Sequence, residues 1–372
     1  MPIEIKIVSN RIDLRKFIHL PWSVHKTQPK WSPPLLIDEW RYFDQKINKN
    51  FGHSDTVMLL AYKNDILVGR VMGIINNRFN QMSGEKTARF GFLECFDDNA
   101  VASSFLKYVE DWAKNLGMKK VVGPMGFTDQ DPEGYIIEGF GFEPTIATYY
   151  NFEYIPKLLE QNGYVKEVDY YVYEIPVVSE PPDIYKKVLD RIRIKNEFQI
   201  LEFASRKQLK PYIIPILSLM NHSFRQIYGF SPLTEEEMMD LANQYLPVLN
   251  PNFVKAVRRD NDLVGFILAM PNMDEGFRKA NGRLLPFGII HILSAGRKSK
   301  QLDLLLGAID ERYRGRGIDV MLGDAMMKSA YKLGFEMIDT HLELESNTQV
   351  RSEMERVGGK IYKKYRIYQK IL

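Results

Sequence analysis

Residues 310–318, DERYRGRGI, crowd three arginines and two glycines into a short stretch directly after an apolar run, LDLLLGAI. That combination has a definite chemistry. A helix N-terminus leaves its first backbone N–H groups unpaired and carries partial positive charge, so it attracts phosphate. A diphosphate reaches those donors only across a turn of little bulk, the role read for Gly315 and Gly317. Arg312, Arg314 and Arg316 add charge and phosphate donors around Tyr313. Ile309 closes the apolar run and Ile318 opens the segment that follows. The bland alternative is a basic turn that only caps a helix.

Such a cradle needs a strand before it and a helix after it. LDLLLGAI is continuous enough to be a strand buried on both faces. Ile318, Met321, Leu322, Ala325 and Leu333 recur at helical spacing, and Gly334 stands where the helix stops. EMIDTHLELE then alternates. Ile338, Thr340, Leu342 and Leu344 share one face, and Asp339, His341, Glu343 and Glu345 the other.

The same order occurs twice in the chain. LLEQNGYVKEVDYYVYEI, from Leu158, aligns without a gap on EMERVGGKIYKKYRIYQK, from Glu353, at an offset of 195 residues. Gly163 falls on Gly358, Tyr170 on Tyr365, Val172 on Ile367 and Tyr173 on Tyr368. NDILVGRVMG likewise resembles DNDLVGFILA, and a helix ending in glycine before a strand begins near Leu106 and again near Leu322. Three matches in one order indicate duplication. The paired prolines of IPVVSEPPDIY suit a linker, which places the boundary near Ser179, with domains 1–178 and 179–372. Each half reads as a small α+β unit on a mixed sheet, with TVMLLAYKNDILVGRVMGII as a hairpin.

The 372 residues agree with two or three domains at roughly 150 residues each, and a net charge of +3 does not mark a nucleic-acid binder. The lone cysteine, Cys95, makes no internal disulfide and fits a reducing, cytoplasmic compartment; it reads as a buried structural thiol. No secretory leader is visible, no run of 18 apolar residues spans a membrane, and no zinc-ligand spacing occurs. The expectation is therefore no metal, no nucleic-acid partner and no membrane partner.

In its strand–loop–helix context the R-x-x-G-x-G pattern of residues 312–317 resembles the GNAT superfamily of acetyl-coenzyme-A-dependent N-acyltransferases. The resemblance extends through Asn347, the helix ending at Gly358-Gly359 and the last strand KIYKKYRIY. It covers about residues 250–372 well and the first half more faintly, as in bacterial proteins with two tandem GNAT domains. It implies that Ile309, residues 312–318 and Asn347 serve the pyrophosphate arm of acetyl-CoA or a longer acyl-CoA, with a small-molecule or peptide amine as acceptor. Glu345 is the expected base, with Glu343 and the tyrosines in reserve, and His341 reads as a surface or partly satisfied histidine. The tyrosine that many relatives use to protonate the thiolate falls at Met354, with Tyr362, Tyr365 and Tyr368 as substitutes.

The first half carries LECFDDNAVASSF at the equivalent turn, without glycine or arginine. Asp97 and Asp98 there would repel a diphosphate, so its cofactor site is read as lost, with Asp98 or Asn99 capping the helix. Asp129, Asp131 and Glu133 could receive a cationic acceptor, or their loop could be an interdomain plug bearing Tyr149, Tyr150 and Phe152. HLPWSVHKTQPKWSPPL could line the cleft. Two other functions compete with acyl transfer: a non-catalytic acyl-CoA-binding protein and a Fem-type aminoacyltransferase. The near-neutral charge and the lack of a basic coiled-coil insertion oppose the latter.

Overall fold

The computed structural model describes residues 2–225 and 227–372. Its strands are β1 (Ile3–Ile7), β2 (Ser54–Lys63), β3 (Ile66–Asn76), β4 (Thr87–Cys95), β5 (Lys120–Gly123), β6 (Tyr135–Glu138) and β7 (Val165–Pro176) in the first half. The second half holds β8 (Gln199–Glu202), β9 (Val254–Arg259), β10 (Asp262–Pro271), β11 (Gln301–Ile309), β12 (Met337–Asp339), β13 (Glu343–Leu344) and β14 (Lys360–Ile371).

All of them join one mixed sheet in the order β1-β2-β3-β4-β5-β14-β7-β12-β11-β10-β9-β8, with β6 on β14 and β13 on β7. The order is palindromic by repeat, and its centre is informative. β14, the last strand of the second half, pairs with β5 of the first; β7, the last strand of the first half, pairs with β12 of the second. The linker near Ser179 lies between β7 and the helix Asp183–Lys195, yet the sheet runs across it.

Local sequence accounts for the pieces. The predicted hairpin is β2–β3, turned by Asn64 (φ 51°) and Asp65 (φ 62°), residues that tolerate left-handed backbone. The helix Asn99–Asn115 packs Val101, Phe105, Leu106 and Val109 on the sheet and stops before Gly117 (φ 79°). The helix Ile318–Lys332 does the same with Ile318, Leu322 and Met326 and stops before Gly334 (φ 79°).

One predicted strand is interrupted. EMIDTHLELE does not alternate throughout: β12 ends at Asp339, His341 takes φ 59°, and pairing resumes at Glu343. The cause is loss of a neighbour. β11 parts from β12 after Asp303, and the Thr340 hydroxyl, accepting from Tyr173 N–H at 2.9 Å, holds the bulge to β7.

Candidate active site

β11 and β12 run parallel only through Gln301↔Met337, Leu302↔Ile338 and Asp303↔Asp339. Beyond that point β11 continues along β10 to the pair Gly265↔Ile309, and its other edge meets no strand among the described residues. Leu304, Leu305 and Leu306 are half-buried there and Gly307 is exposed. The parting leaves one edge of β11 without a strand partner, and that edge leads to the arginine-rich turn.

The turn is built as strand, one 3-10 turn (Glu311–Tyr313) and helix. Gly315 (φ 72°) and Gly317 (φ 86°) are both left-handed, and the space around Gly315 is open. Gly317 is different. A Cβ there would lie 2.6 Å from Ile192 Cδ1 and 2.8 Å from Val188 Cγ1, so this glycine also admits the helix Asp183–Lys195. Ile318 is buried on Val257, Val264 and Leu322, and its side chain serves packing. The first intrahelical bond runs from Met321 N–H to Gly317 O at 3.0 Å, and no N-cap side chain covers the earlier donors.

Each arginine of the turn is tethered. Arg312 makes a 2.7 Å ion pair with Asp310, Arg314 lies 3.7 Å from Glu311, and Arg316 lies 2.5 Å from Glu197. Tyr313 stands among them, 5.5 Å from Arg312 and 5.8 Å from Arg316. Asp310 is buried and bound in a bidentate way by Arg312, whereas the Arg314 and Arg316 pairs are solvent-exposed and contribute little. One anion was missed from sequence. Asp319 lies in the first helical turn beside its own N–H and that of Val320, and burial, reinforced by Glu353, raises its carboxyl above the usual range. Its place in the first turn of the helix was visible in sequence; its partial burial was not.

On the opposite wall the predicted acids separate. Glu345 ion-pairs with Lys166 at 2.6 Å and accepts from Asp169 N–H at 3.2 Å, clasping the start of the last helix to β7. Glu343 is half-buried and makes no hydrogen bond or ion pair among the described residues; burial alone pushes it up to about 8. It faces the same side as Tyr171, its partner on β7. Asn347 accepts from Val350 N–H at 3.4 Å as the cap of the helix Thr348–Arg356, so the structure gives it a local capping contact. Met354 is packed with Tyr173 and Val357.

Beneath the parting point sits a buried polar cluster. Lys363 and Asp339 form a fully buried 3.1 Å ion pair, and the Tyr362 hydroxyl donates to the same carboxylate. Asp303 accepts from Asn272 and Gln301 at 3.0 and 2.8 Å, and burial, followed by the Asp339 charge, holds its carboxyl well above the ordinary value. His341 donates its backbone N–H to Asp339 at 2.7 Å, and its Nε2 lies 2.9 Å from the Ile146 carbonyl; burial lowers its pKa. It is a structural bulge residue, not a surface one. Tyr365 and Tyr368 are buried in the sheet, and Tyr368 donates to Glu160 at 3.2 Å.

The first half repeats the strand parting and fills it. β4 and β5 pair only from Thr87↔Lys120 to Arg89↔Val122. Along the free edge of β4, Tyr135 donates to Leu93 O at 2.6 Å, Tyr154 donates to Cys95 O at 2.8 Å, and Phe92 N–H donates to the Tyr149 hydroxyl at 3.4 Å. The loop is a plug, but it plugs its own half. His25 of the proline- and tryptophan-rich segment seals it, stacked between Trp31 and Phe152 at 4.7 and 5.3 Å and 3.2 Å from Glu94. Asp98 caps the helix by accepting from Ala100 N–H at 3.0 Å, and Cys95 is buried, its thiol pushed up to about 12. Asp131 accepts from Tyr42 at 2.9 Å and Asp129 from Ser231 N–H at 3.2 Å, while Glu133 is buried; all three turn inward around Arg89.

No family model matches the chain. Two curated proteins resemble it along nearly its whole length, each at 26% identity. One is a bacterial ceramide synthase of Caulobacter vibrioides, with 98% of this chain and 96% of that protein covered. The other is the protein YghO of Escherichia coli, with 98% and 95% covered. Among solved structures, a tandem GNAT protein from the clavulanic acid biosynthesis pathway superposes with a TM-score of 0.56 at 10% identity, covering 100% of this chain and 98% of its own. A GCN5-related N-acetyltransferase from Sphaerobacter thermophilus gives 0.52 at 12% identity, covering 99% and 95%. The architecture that the arginine–glycine turn implied is therefore the one observed: this chain has the tandem GNAT fold.

Proposed function

We propose that the protein is an N-acyltransferase that moves an acyl group from acyl-CoA to an amine, with the donor bound once, in the second half. The observation that carries this reading is the open edge of β11 ending in the glycine–arginine turn, against the tyrosine-filled counterpart beside β4. The residues fit an acyl-CoA: an extended edge for an amide-bearing arm, then a helix N-terminus with no N-cap side chain and three arginines for a diphosphate.

Acyl transfer requires the acceptor's ammonium to lose a proton before its nitrogen attacks the thioester carbonyl. We assign that proton to Glu343 and not to Glu345, because Glu343 is free of partners and desolvated while Glu345 is held by Lys166. The C–N bond then forms as the C–S bond breaks, the nitrogen gives up a second proton to the departing thiolate, and coenzyme A leaves as the thiol. A ceramide is the N-acyl derivative of a long-chain amino alcohol. Likeness to a protein named ceramide synthase over almost the full length supports a lipid amine of that kind as acceptor. Incubation with acyl-CoA and a long-chain amino alcohol, following thiol release and the amide product, tests the reading. Turnover with a lipid amine supports it; no release with any amine counts against it.

A further inference from the structure

Between β10 and β11 the chain inserts two helices, Asp274–Ala280 and Gly288–Lys298, and their connection leaves large apolar side chains in solvent. Leu285, Phe287, Ile289, Ile290 and Leu293 are 78%, 64%, 46%, 58% and 53% exposed, all within nine residues. They are not core residues deprived of a core. The opposite side of the same hairpin is tightly packed: a Cβ on Gly276 would lie 2.5 Å from Ile292 Cα, and Ile292 is buried. The tip is also anchored to the first half, where Trp22 donates to Asn281 at 2.8 Å and Leu36 N–H donates to Gly282 O at 2.9 Å.

The charge around this patch has one sign. Residues 276–302 contain six lysines and arginines and not one acid, in a chain whose total is +3. Arg283, Arg297 and Lys298 are exposed and make no ion pair among the described residues. A contiguous apolar face rimmed by unpaired cations on a short helix fits the boundary of a bilayer, where side chains enter the acyl region and cations meet anionic headgroups.

We propose that this hairpin tip docks the protein on an anionic lipid surface, lying on it without crossing it. The absence of an 18-residue apolar run excludes a spanning helix only, and no helix among the described residues is long and apolar enough to span. The surface stands independently of the acyl-transfer reading. If both hold, the hairpin that leads into β11 rests on the membrane that stores a lipid amine.

The test is sedimentation of the whole protein with vesicles of phosphatidylcholine alone and of equal parts phosphatidylcholine and phosphatidylglycerol. The protein is expected to pellet with the anionic vesicles and to be released by salt. Ile290→Glu with Leu293→Glu should abolish pelleting, and Arg297→Glu with Lys298→Glu should weaken it about tenfold or more. Because these side chains are exposed, both variants should keep the parent's melting temperature. Failure to bind anionic vesicles, equal binding to neutral ones, or unchanged binding by the apolar variant overturns the proposal. So does concentration-dependent self-association through this face without lipid, which would make it a protein interface.

Discussion

Tyr170 and Tyr365, which occupy equivalent positions in the two repeats, face each other directly across the β7–β14 ladder. The neighbouring pairs Asp169↔Arg366 and Val168↔Ile367 follow in register, and Arg366 binds Asp169 at 2.7 and 2.9 Å. A pseudo-two-fold axis therefore passes through the tyrosine pair, and each half completes its sheet with the other's last strand. Separately produced chains 1–178 and 179–372 should each expose an unpaired strand edge and aggregate or remain unfolded. Co-production should restore a soluble complex, read by size-exclusion chromatography and circular dichroism. Two independently folded, monomeric halves would contradict the strand exchange.

Glu343→Gln keeps shape and removes the proposed base. Turnover should fall about 10²-fold with coenzyme affinity spared. Since burial puts Glu343 at about 8 and the base must be ionised, kcat/KM of the parent should rise with pH through that value. The rise should vanish in the variant. Glu345→Gln, which removes one of the two ion pairs of Lys166 and leaves the one with Asp169, should lower stability slightly and leave the pH profile in place.

Asp319 should oppose a diphosphate at the helix N-terminus. Asp319→Asn is expected to tighten coenzyme binding several-fold at neutral pH, and parent affinity should fall as pH rises through the raised Asp319 value. Isothermal calorimetry across pH reads both. Gly317→Val is a poor probe of the cradle, because its side chain would strike Val188 and Ile192 and its φ is 86°; it should lower the melting temperature as well. Arg314→Glu, at an exposed site, separates binding from folding.

Lys363→Ala leaves the Asp339 carboxylate buried without its cation and should cost about 3–5 kcal/mol by chemical denaturation. A loss below about 1 kcal/mol would contradict that cost.

Stability should decline toward alkaline pH. Glu133 and Glu343 are pushed up to about 8, Asp274 and Glu39 to about 7 and Asp129 to about 6, chiefly by burial. The folded state keeps these protons where the unfolded chain has lost them, so their contribution is whole below about pH 4 and lost as pH rises through the folded values. Glu94 runs the other way: although burial opposes it, Arg70 and His25 hold it down at about 2, and its contribution is lost only on acidification. Melting temperature should therefore be higher at pH 6 than at pH 9.

Much of this was legible in sequence because it rests on local rules. Glycine placement ended the helices before Gly117 and Gly334, alternation and turn residues gave the β2–β3 hairpin, and the duplication gave two like halves, each on a mixed sheet. Strand exchange was not legible, since pairing β7 with β12 or with β5 satisfies the same alternation. Nor was the bulge at His341, which depends on where β11 departs. Glu343 and Glu345 share a parity in sequence; only the position of Lys166 and the break in the strand distinguish them. The tyrosine plug likewise required knowing that residues 135–154 fold back onto β4.

The central claim is a single acyl-CoA site, in the second half. Calorimetric titration of the whole chain with coenzyme A tests it most directly. The account predicts one site per chain, weakened at least tenfold by Arg314→Glu with Arg316→Glu and unaffected by Tyr149→Phe in the plug. Two equivalent sites, no binding, or binding indifferent to the arginines would contradict it.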